Sequence, residues 1–211
     1  MPLTEIGYNI FKMRLIYEKL LSVLGHQHWW PADTSFEVVV GALLTQQTRW
    51  SNVEQAISNL KAHSLLDSDR LASADTLELE ELIRCTGFYR QKARRLKNLA
   101  RYFSLHGDAL YDRPVEDLRK DLLELDGVGE ETADSIILYA ANKPKFVIDA
   151  YTRRILGCLG LSGSYSSLQE KFESKLEHDT EMFKEYHALI VEYGKQYCGK
   201  NRCDECVLVE K

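Results

Sequence analysis

Apolar residues recur every three or four positions along nearly the whole of this 211-residue chain. This is the spacing of amphipathic α-helices, and we find no convincing alternation of apolar and polar residues that would indicate a strand. The predicted fold class is therefore all-α. The pattern predicts helices at residues 7–23, 36–44, 51–63, 76–84, 90–104, 115–124, 131–141, 149–159, 166–176 and 180–197.

The composition is that of a folded protein. With 45% hydrophobic residues the chain can bury a proper core, and its length allows one large or two small domains. No apolar run reaches the ~18 residues of a membrane span, and the first residues lack the basic and apolar regions of a signal peptide. We therefore expect a soluble, cytoplasmic protein.

A glycine-containing turn separates two of the predicted helices. Gly127 and Gly129 flank Val128 in this turn. Glycine accepts backbone angles that other residues avoid, and it lets the main chain approach a partner closely. Because the turn runs directly into a helix, N–H groups and the positive helix end point at one spot, which suits a phosphate. We predict a helix-hairpin-helix element over about residues 115–141 that holds a nucleic-acid backbone without reading bases.

The positions of the charged residues agree with a nucleic-acid-binding hairpin better than the net charge of the chain does. The formal net charge of −5 argues mildly against a nucleic-acid binder, because phosphate affinity comes from lysine and arginine. A solvated helix face is the ordinary interpretation of a basic stretch. Beside a glycine hairpin, we favour a surface that faces phosphates. The six cations between residues 90 and 101 are Arg90, Lys92, Arg94, Arg95, Lys97 and Arg101.

Asp149 is the candidate for chemistry. It follows the apolar residues 146–148 and precedes the next predicted helix, where an aspartate is a good N-cap. A carboxylate can also stabilise an oxocarbenium-like sugar cation, or activate water, when a glycosidic bond is cleaved. The two roles are compatible. The short connection from the hairpin helix predicts that Asp149 lies near the hairpin.

These motifs together resemble a known family. The segments LDGVGEETADSIILYA (residues 125–140), VIDAYTRRI (147–155) and GALLTQQT (41–48) are similar to those of the helix-hairpin-helix, Gly/Pro-rich, Asp superfamily of DNA glycosylases, which includes endonuclease III. The resemblance covers about residues 30–206. It implies two helical lobes around a cleft, with Asp149 as the catalytic carboxylate.

The same resemblance implies a domain division and a way of handling DNA. One lobe is the continuous segment 34–146, and the other joins residues 1–33 to 147–211. The target base must leave the duplex. Either glutamine of the 41–48 segment is expected to fill the gap, although an ordinary helix-end glutamine is an equal interpretation. A monovalent cation on the hairpin carbonyls is also implied. The residues predicted to contact DNA are Gln46, Gln47, Arg90, Lys92, Arg94, Gly127, Val128, Gly129 and Thr132.

Departures from the family pattern select among its branches. Bifunctional members carry a lysine that forms a Schiff base with the sugar, and Glu131 stands at that position here. A carboxylate cannot form an imine, so lyase activity is not expected. Ala42 stands where the adenine-mismatch branch needs a glutamate, and the thymine-mismatch branch usually has tyrosine at the Glu131 position. With these branches set aside, the resemblance implies a monofunctional glycosylase that cleaves the glycosidic bond with water.

The tryptophans indicate the kind of base. Trp29, Trp30 and Trp50 are the only ones in the chain, and such residues are often plain packing residues. An electron-rich aromatic wall, however, attracts cations, and bases methylated at a ring nitrogen are cationic. The Trp-Trp-Pro sequence that ends at Pro31 is similar to that of the 3-methyladenine DNA glycosylases. The same resemblance implies that Lys195 faces the base pocket, although a solvent-facing lysine is its simpler interpretation.

Three cysteines close together indicate a metal site. Cys198, Cys203 and Cys206 form C-x4-C-x2-C, and such triplets in a cytosolic protein favour metal over a disulfide. The family pattern is C-x6-C-x2-C-x5-C with a structural [4Fe–4S] cluster. We favour that cluster over zinc or no metal, although both zinc and the cluster normally have four ligands.

The fourth ligand is not evident from the sequence. A cysteine at the family spacing would fall at position 212, one beyond Lys211. Another ligand completes the site, the chain continues, or the cluster is degenerate. The two remaining cysteines, Cys85 and Cys158, lie in predicted helices and are expected to be buried thiols.

The sequence therefore predicts a monofunctional DNA glycosylase of base excision repair that removes 3-methyladenine-type purines and leaves an abasic site. Its expected partner is double-stranded DNA with a damaged base, and we expect a monomer that acts at the nucleoid. One alternative is an endonuclease III-like glycosylase for oxidised or deaminated pyrimidines. Another is a non-catalytic DNA-binding protein that retains the hairpin.

Overall fold

The computed structural model describes residues 5–208, and for residues 5–12 and Cys203 it describes the backbone alone. Within that part of the chain there is no strand, so the predicted all-α class is confirmed. No described helix is long and apolar enough to cross a membrane. The twelve α-helices of the described residues are α1 (Glu5–Leu24), α2 (Ser35–Leu44), α3 (Trp50–Ala62), α4 (Ser68–Ser73), α5 (Thr76–Leu82), α6 (Tyr89–His106), α7 (Ala109–Asp112), α8 (Val115–Leu123), α9 (Glu130–Ser135), α10 (Ala150–Cys158), α11 (Tyr165–Glu173) and α12 (Thr180–Gln196).

Each helix predicted from periodicity is present, and the ends differ by at most three residues when the π-helical turn after α9 is counted with it. The second hairpin helix changes form along its length, because a π-helical turn, Ile136–Ala140, continues α9. Periodicity missed α4 and α7, which have six and four residues. Helices of four to six residues are too short for a 3.6-residue repeat to show.

Residues 32–143 form one compact unit, the central unit. Its core helix is α2, in which residues 37–44 are all buried. The start of α2 is a capping box: Thr34 Oγ1 accepts from the Glu37 backbone N–H at 3.1 Å, and Glu37 Oε2 accepts from the Asp33 N–H at 3.1 Å. These two bonds fix where α2 begins. Around α2 pack α3, α6 and the hairpin helix α9 with its π turn.

The described residues of the segments 1–31 and 144–211 form the second compact unit, the terminal unit. Its central helix is α12, which packs against α1 and α10. A methyl group at Gly194 would overlap the Tyr151 ring, so the glycine allows α10 and α12 to approach closely. An aromatic cluster fills the core, with Phe146 stacked on Phe172 at 3.8 Å between ring centroids and Tyr186 edge-on to both.

The unit boundaries lie two and three residues from those of the predicted lobe 34–146. The terminal unit contains Asp149 and the cysteine tail, whereas the central unit contains the glycine hairpin. The functional roles assigned to the two lobes stay predictions.

Candidate functional site

The hairpin turn depends on Gly127 for two reasons. Its φ of +84° is in the left-handed region, which glycine adopts without strain. The Arg95 side chain also packs directly against its α-carbon, so that a methyl group there would overlap the guanidinium stem. Val128 fixes the turn to the core, because its side chain is buried and its N–H donates to the Leu125 carbonyl at 3.0 Å.

Gly129 differs from Gly127. It is the N-cap of α9 with φ −94° and ψ −179°, backbone angles that any residue adopts. A methyl group there would have no described atom within 4 Å. A glycine cap also offers no side chain to the N–H groups of the first helical turn, which no helix carbonyl accepts. The open space over Gly129 is therefore suited to the close approach of an anion.

Gln46 holds the hairpin from the end of α2. Its side-chain amide donates to the Gly127 carbonyl at 2.9 Å and to Thr132 Oγ1 at 3.0 Å. Thr132, a predicted DNA-binding residue, is buried, and its hydroxyl accepts the Gln46 bond, so its contact with a phosphate stays a prediction. Gln47, in contrast, is exposed and has a φ of +52°. Of the two glutamines, Gln47 is the one whose side chain extends into solvent.

A buried ion pair ties the two hairpin helices together. Arg119 of α8 donates from Nε to Asp134 Oδ1 at 2.7 Å and from a terminal nitrogen to Oδ2 at 3.2 Å. The Asp134 side chain is fully buried. Glu130, at the start of α9, lies 3.5 Å from the same guanidinium. These contacts set the orientation of α9 relative to α8.

The basic stretch of α6 separates into exposed and buried cations. Arg90 is 80% exposed along its side chain, and Arg94 is exposed but pairs with Asp126 at 2.8 Å. Lys92 is wrong as a predicted DNA contact: it is buried, and its ammonium group donates to the carbonyls of Leu44 and Thr86 at 2.9 Å each. Burial lowers the pKa of Lys92 to about 8. The helical period decides this, because part of any amphipathic helix must face the core.

Asp149 caps α10. Its Oδ1 accepts from the Thr152 N–H at 2.7 Å, as expected for an N-cap aspartate. Its other oxygen, Oδ2, lies 3.7 Å from Nε2 of His187 on α12. The side chain is 13% exposed, so it is neither buried in the core nor free in solvent. Its predicted closeness to the hairpin stays a prediction.

Sequence reasoning missed His187. Its side chain is almost fully buried, and this burial lowers its pKa, while the neighbouring Asp149 opposes the shift. The imidazole is therefore neutral at pH 7. Its ring stacks on Trp29 with 5.9 Å between centroids. No signal in the sequence separates a histidine of this kind from an ordinary core residue, because its partners lie 38 and 158 positions away.

The two adjacent tryptophans extend the stack of rings that begins at His187. Trp29 stacks on Trp30 with 5.0 Å between centroids, and both side chains are half-buried. The Lys195 ammonium lies 5.8 Å from the Trp29 ring centroid and 3.9 Å from Glu192. Pro31 is exposed at the end of this segment. The terminal unit thus places Trp30, Trp29, His187 and Asp149 in a connected row.

Trp50 does not belong to the terminal unit. It is the first residue of α3 in the central unit and is half-buried. Its membership of one pocket with Trp29 and Trp30 stays a prediction.

The cysteine tail borders a cavity of about 290 Å³ inside the terminal unit. The side chains of Cys198 and Cys206 line it, whereas that of the predicted ligand Cys203 lies outside the described residues. The other lining residues are Ile155, Cys158, Tyr193, Tyr197, Arg202 and Leu208. The Tyr193 hydroxyl donates to Cys206 Sγ at 3.5 Å.

Two of the three predicted ligands, Cys198 and Cys206, thus line one apolar cavity. Sulfur ligands, an apolar wall and a hydrogen bond to one sulfur are features of iron–sulfur clusters. Among the described side chains, no group of three histidine, cysteine, aspartate or glutamate residues could hold a metal ion, so the iron–sulfur cluster stays a prediction. One expectation was wrong: Cys85 and Cys158 are exposed rather than buried. Cys85 lies in the short 3-10 helix Arg84–Thr86, and Cys158 is the last residue of α10.

Comparison with known proteins places this geometry in a family. Residues 40–178, about two thirds of the chain, match the model described as "HhH-GPD superfamily base excision DNA repair protein". The chain belongs to this superfamily. The resemblance stated from the sequence is thereby confirmed at the level of the HhH-GPD superfamily and its DNA glycosylases.

Individual relatives agree. "Putative DNA repair glycosylase MJ1434" of Methanocaldococcus jannaschii is 48% identical over 204 residues, 92% of this chain and 93% of that protein. Endonuclease III of Thermotoga maritima is 30% identical over 177 residues, covering 82% of this chain and 80% of the relative. Among solved structures, the 3-methyladenine DNA glycosylase MagIII of H. pylori, bound to 1,N6-ethenoadenine, is similar with a TM-score of 0.77. That pair is 27% identical, over 89% of this chain and 97% of MagIII.

Proposed function

We propose that this HhH-GPD protein is a monofunctional DNA glycosylase that removes alkylated purines of the 3-methyladenine type and leaves an abasic site. The observation that carries the proposal is the row formed by Trp30, Trp29, His187 and Asp149. A stack of electron-rich rings beside a carboxylate suits a flat, cationic base attached to a sugar. The similarity to MagIII supports the same choice.

Asp149 acts on the sugar in this mechanism. The N-glycosidic bond breaks with its electron pair leaving on the base, and positive charge develops at C1′. The Asp149 carboxylate stabilises that charge and accepts a proton from the water that attacks C1′. A base methylated at a ring nitrogen becomes neutral as it departs, so no general acid has to protonate it. The products are the free base and an abasic site.

The neutral imidazole of His187 positions Asp149. Its distance of 3.7 Å from Oδ2 is too long for a hydrogen bond, but its ring limits the space open to the carboxylate. The Thr152 N–H holds the other oxygen. A carboxylate held from both sides keeps its alignment with C1′, and small misplacements of catalytic groups are costly.

Glu131 is the reason to expect no strand cleavage. It stands, exposed, in the first turn of α9, where bifunctional relatives would carry the Schiff-base lysine. An imine requires an amine, so the sugar cannot be trapped covalently at this position. Water is then the only nucleophile in the proposed reaction.

The central unit holds the DNA. Backbone N–H groups at Gly129 and the first turn of α9 bind a phosphate, assisted by a monovalent cation on hairpin carbonyls. Gln47 fills the gap left by the flipped nucleotide, because the Gln46 amide is already bonded to the hairpin. Arg90 and Arg94 contribute to phosphate attraction. We propose double-stranded DNA with a damaged base as the partner and a monomer as the active form.

An iron–sulfur cluster would be held by Cys198, Cys203 and Cys206. When bound, it supplies structural order to the tail, and no step of base release depends on it. The apolar cavity beside Cys198 and Cys206 supports this assignment.

The second candidate is a glycosylase for oxidised or deaminated pyrimidines. The 30% identity to endonuclease III of Thermotoga maritima favours it. The stacked tryptophans and Glu131 favour the purine activity instead.

One assay tests the proposal. Wild type and Asp149→Asn are incubated with methylated duplex DNA, and base release is scored separately from strand cutting. We expect 3-methyladenine release by wild type and loss of at least about 100-fold in the variant, since asparagine keeps the N-cap but not the charge. Matched unfolding curves for the two proteins confirm that the variant is folded.

Three results would contradict the proposal. Strand cutting without added base or heat refutes the Glu131 argument. Release of thymine glycol or uracil, with none from methylated DNA, selects the pyrimidine activity. An Asp149→Asn variant with full activity excludes the proposed catalytic carboxylate.

A further inference from the structure

One buried ammonium group joins two segments of the central unit. Lys92, in the first turn of α6, is 2% exposed, and its Nζ donates to the carbonyls of Leu44 and Thr86 at 2.9 Å each. Leu44 is the last residue of α2, and Thr86 is the last residue of the 3-10 helix Arg84–Thr86. Both acceptors therefore lie at helix ends, where carbonyl groups lack a donor within the helix.

The burial of Lys92 requires a compensating gain. Removing an ammonium group from water is unfavourable, and this burial lowers the pKa of Lys92 to about 8. A methionine side chain would fill a similar space without that cost, so packing does not account for a lysine here. What the ammonium group adds is a pair of hydrogen bonds that holds the end of α2 against the segment before α6.

The loop after Leu44 contains both glutamines of the proposed DNA contact. The Gln46 amide is bonded to the Gly127 carbonyl at 2.9 Å, whereas Gln47 is exposed. The chain is thus fixed at two points, Leu44 and Gln46, immediately before Gln47. Gln47 has a φ of +52°, a backbone conformation that is unfavourable for a residue with a side chain and persists where the surrounding structure holds it.

We propose that Lys92 is a positioning residue for Gln47: by holding the end of α2, it presents the Gln47 side chain to the gap that a flipped nucleotide leaves in the duplex. The inference rests on the proposed function, in which Gln47 fills that gap. Lys92 itself is buried and does not contact DNA. The basic stretch of α6 then contributes in two ways, because its exposed cations attract phosphates and its buried cation orients a loop.

A double-mutant cycle of Lys92 with Gln47 tests this role. The full-length protein is titrated with two duplexes, one undamaged and one that contains tetrahydrofuran, a stable analogue of an abasic site. A side chain that fills the gap favours only the second duplex, so the ratio of the two affinities reports on Gln47. We expect wild type to prefer the abasic analogue at least about 10-fold, and Gln47→Ala and Lys92→Met each to lower this preference about 3- to 10-fold. The double variant should lose no more than Gln47→Ala alone.

Lys97→Met is the matched control. Lys97 lies on the same helix, and its ammonium group also donates to a backbone carbonyl, but that of Ala74, which lies between α4 and α5. Any attraction of Lys97 to phosphates acts on both duplexes alike, so the ratio of affinities should not change. Lys92→Gln enters the same cycle as a second variant, because its amide keeps a donor for one of the two carbonyls and the test then does not depend on the folding of Lys92→Met.

Additive losses in the double variant would overturn the proposal, because Lys92 would then act independently of Gln47. So would an undiminished preference in Lys92→Met, an equal loss in Lys97→Met, or a wild type that binds both duplexes equally. Release of 3-methyladenine is scored separately and tests the proposed function. A non-additive cycle without base release supports the positioning role and contradicts only the proposed activity, whereas an additive cycle with normal release contradicts only the positioning role.

Discussion

Oδ2 of Asp149 lies 3.7 Å from Nε2 of His187, whose ring also stacks on Trp29. One buried imidazole therefore contacts both the proposed catalytic carboxylate and the proposed base-stacking wall. The two parts of the site are mechanically linked through α12, although their residues come from three separate segments of the sequence.

This link predicts a kinetic effect of His187. His187→Phe keeps an aromatic ring against Trp29 but removes the nitrogen beside Asp149. We expect the single-turnover rate of base release to fall about 10- to 100-fold with little change in DNA affinity, because the carboxylate loses its alignment. Substitution of the exposed His63 by phenylalanine is the control and should change neither quantity. An unchanged rate in His187→Phe excludes the positioning role.

Burial of His187 also predicts a pH dependence of stability. The pKa of folded His187 lies below 6.5, so the unfolded chain binds this proton first as the pH falls. The contribution to the free energy of unfolding is fully present above about pH 6.5 and is lost as the pH falls through the folded pKa. We expect the free energy of unfolding, measured with denaturant at several pH values, to fall less steeply with decreasing pH in His187→Gln than in wild type. If the free energy of unfolding depends on pH in the same way in the two proteins, burial of His187 does not contribute to the acid loss of stability.

The two hairpin glycines should respond differently to alanine. Gly127→Ala requires a left-handed alanine and displacement of Arg95, so it should destabilise the protein by about 1–2 kcal/mol. Gly129→Ala meets no described atom and should leave stability within about 0.5 kcal/mol of wild type. We expect it to weaken DNA binding nevertheless, since the methyl group occupies the proposed path of the phosphate. Wild-type affinity in Gly129→Ala would place the backbone contact elsewhere.

Two cations of α6 should differ in their effect on DNA binding. Removing an exposed phosphate contact lowers the salt dependence of affinity, so Arg90→Ala should reduce the slope of log K against log salt by about 1. Lys92→Met removes a buried ammonium group and should leave that slope unchanged. Fluorescence anisotropy over a range of salt concentrations measures both. Equal slopes in Arg90→Ala and wild type would show that Arg90 does not contact phosphate.

The Arg119–Asp134 pair should be important for stability. Asp134→Ala leaves the Arg119 guanidinium without a fully buried carboxylate and should reduce the free energy of unfolding by about 3–5 kcal/mol. Asp126→Ala breaks the exposed pair with Arg94 and should cost at most about 1 kcal/mol. Chemical denaturation distinguishes the two, and similar losses would mean that burial does not decide the strength of this pair.

Local sequence patterns predicted much of the fold. The ten long helices, the capping box at Thr34 and Glu37 and the N-cap at Asp149 all arise from residues close together in the chain. Such features depend on backbone geometry and on side chains within one or two turns, so they can be recognised from spacing alone.

The candidate site was predicted less completely. Motifs mark Asp149 and the adjacent tryptophans as candidates, and their roles stay predictions. No motif marks His187, and Lys92 was expected at the DNA surface although it is buried. Whether a polar side chain on an amphipathic helix faces a core, a cavity or solvent depends on what packs against that helix.

The sequence by itself determined the all-α class, the glycine hairpin and the superfamily resemblance, and it has Glu131 at the position where that resemblance implies a lysine in bifunctional members. Tertiary structure alone decided that His187 joins Asp149 to Trp29, and that Cys158 lines the same cavity as Cys198 and Cys206. The physical reason is that helix formation depends on neighbours in sequence, whereas these contacts depend on how distant helices pack. A pattern read along one helix contains no record of the side chains that another helix brings to it.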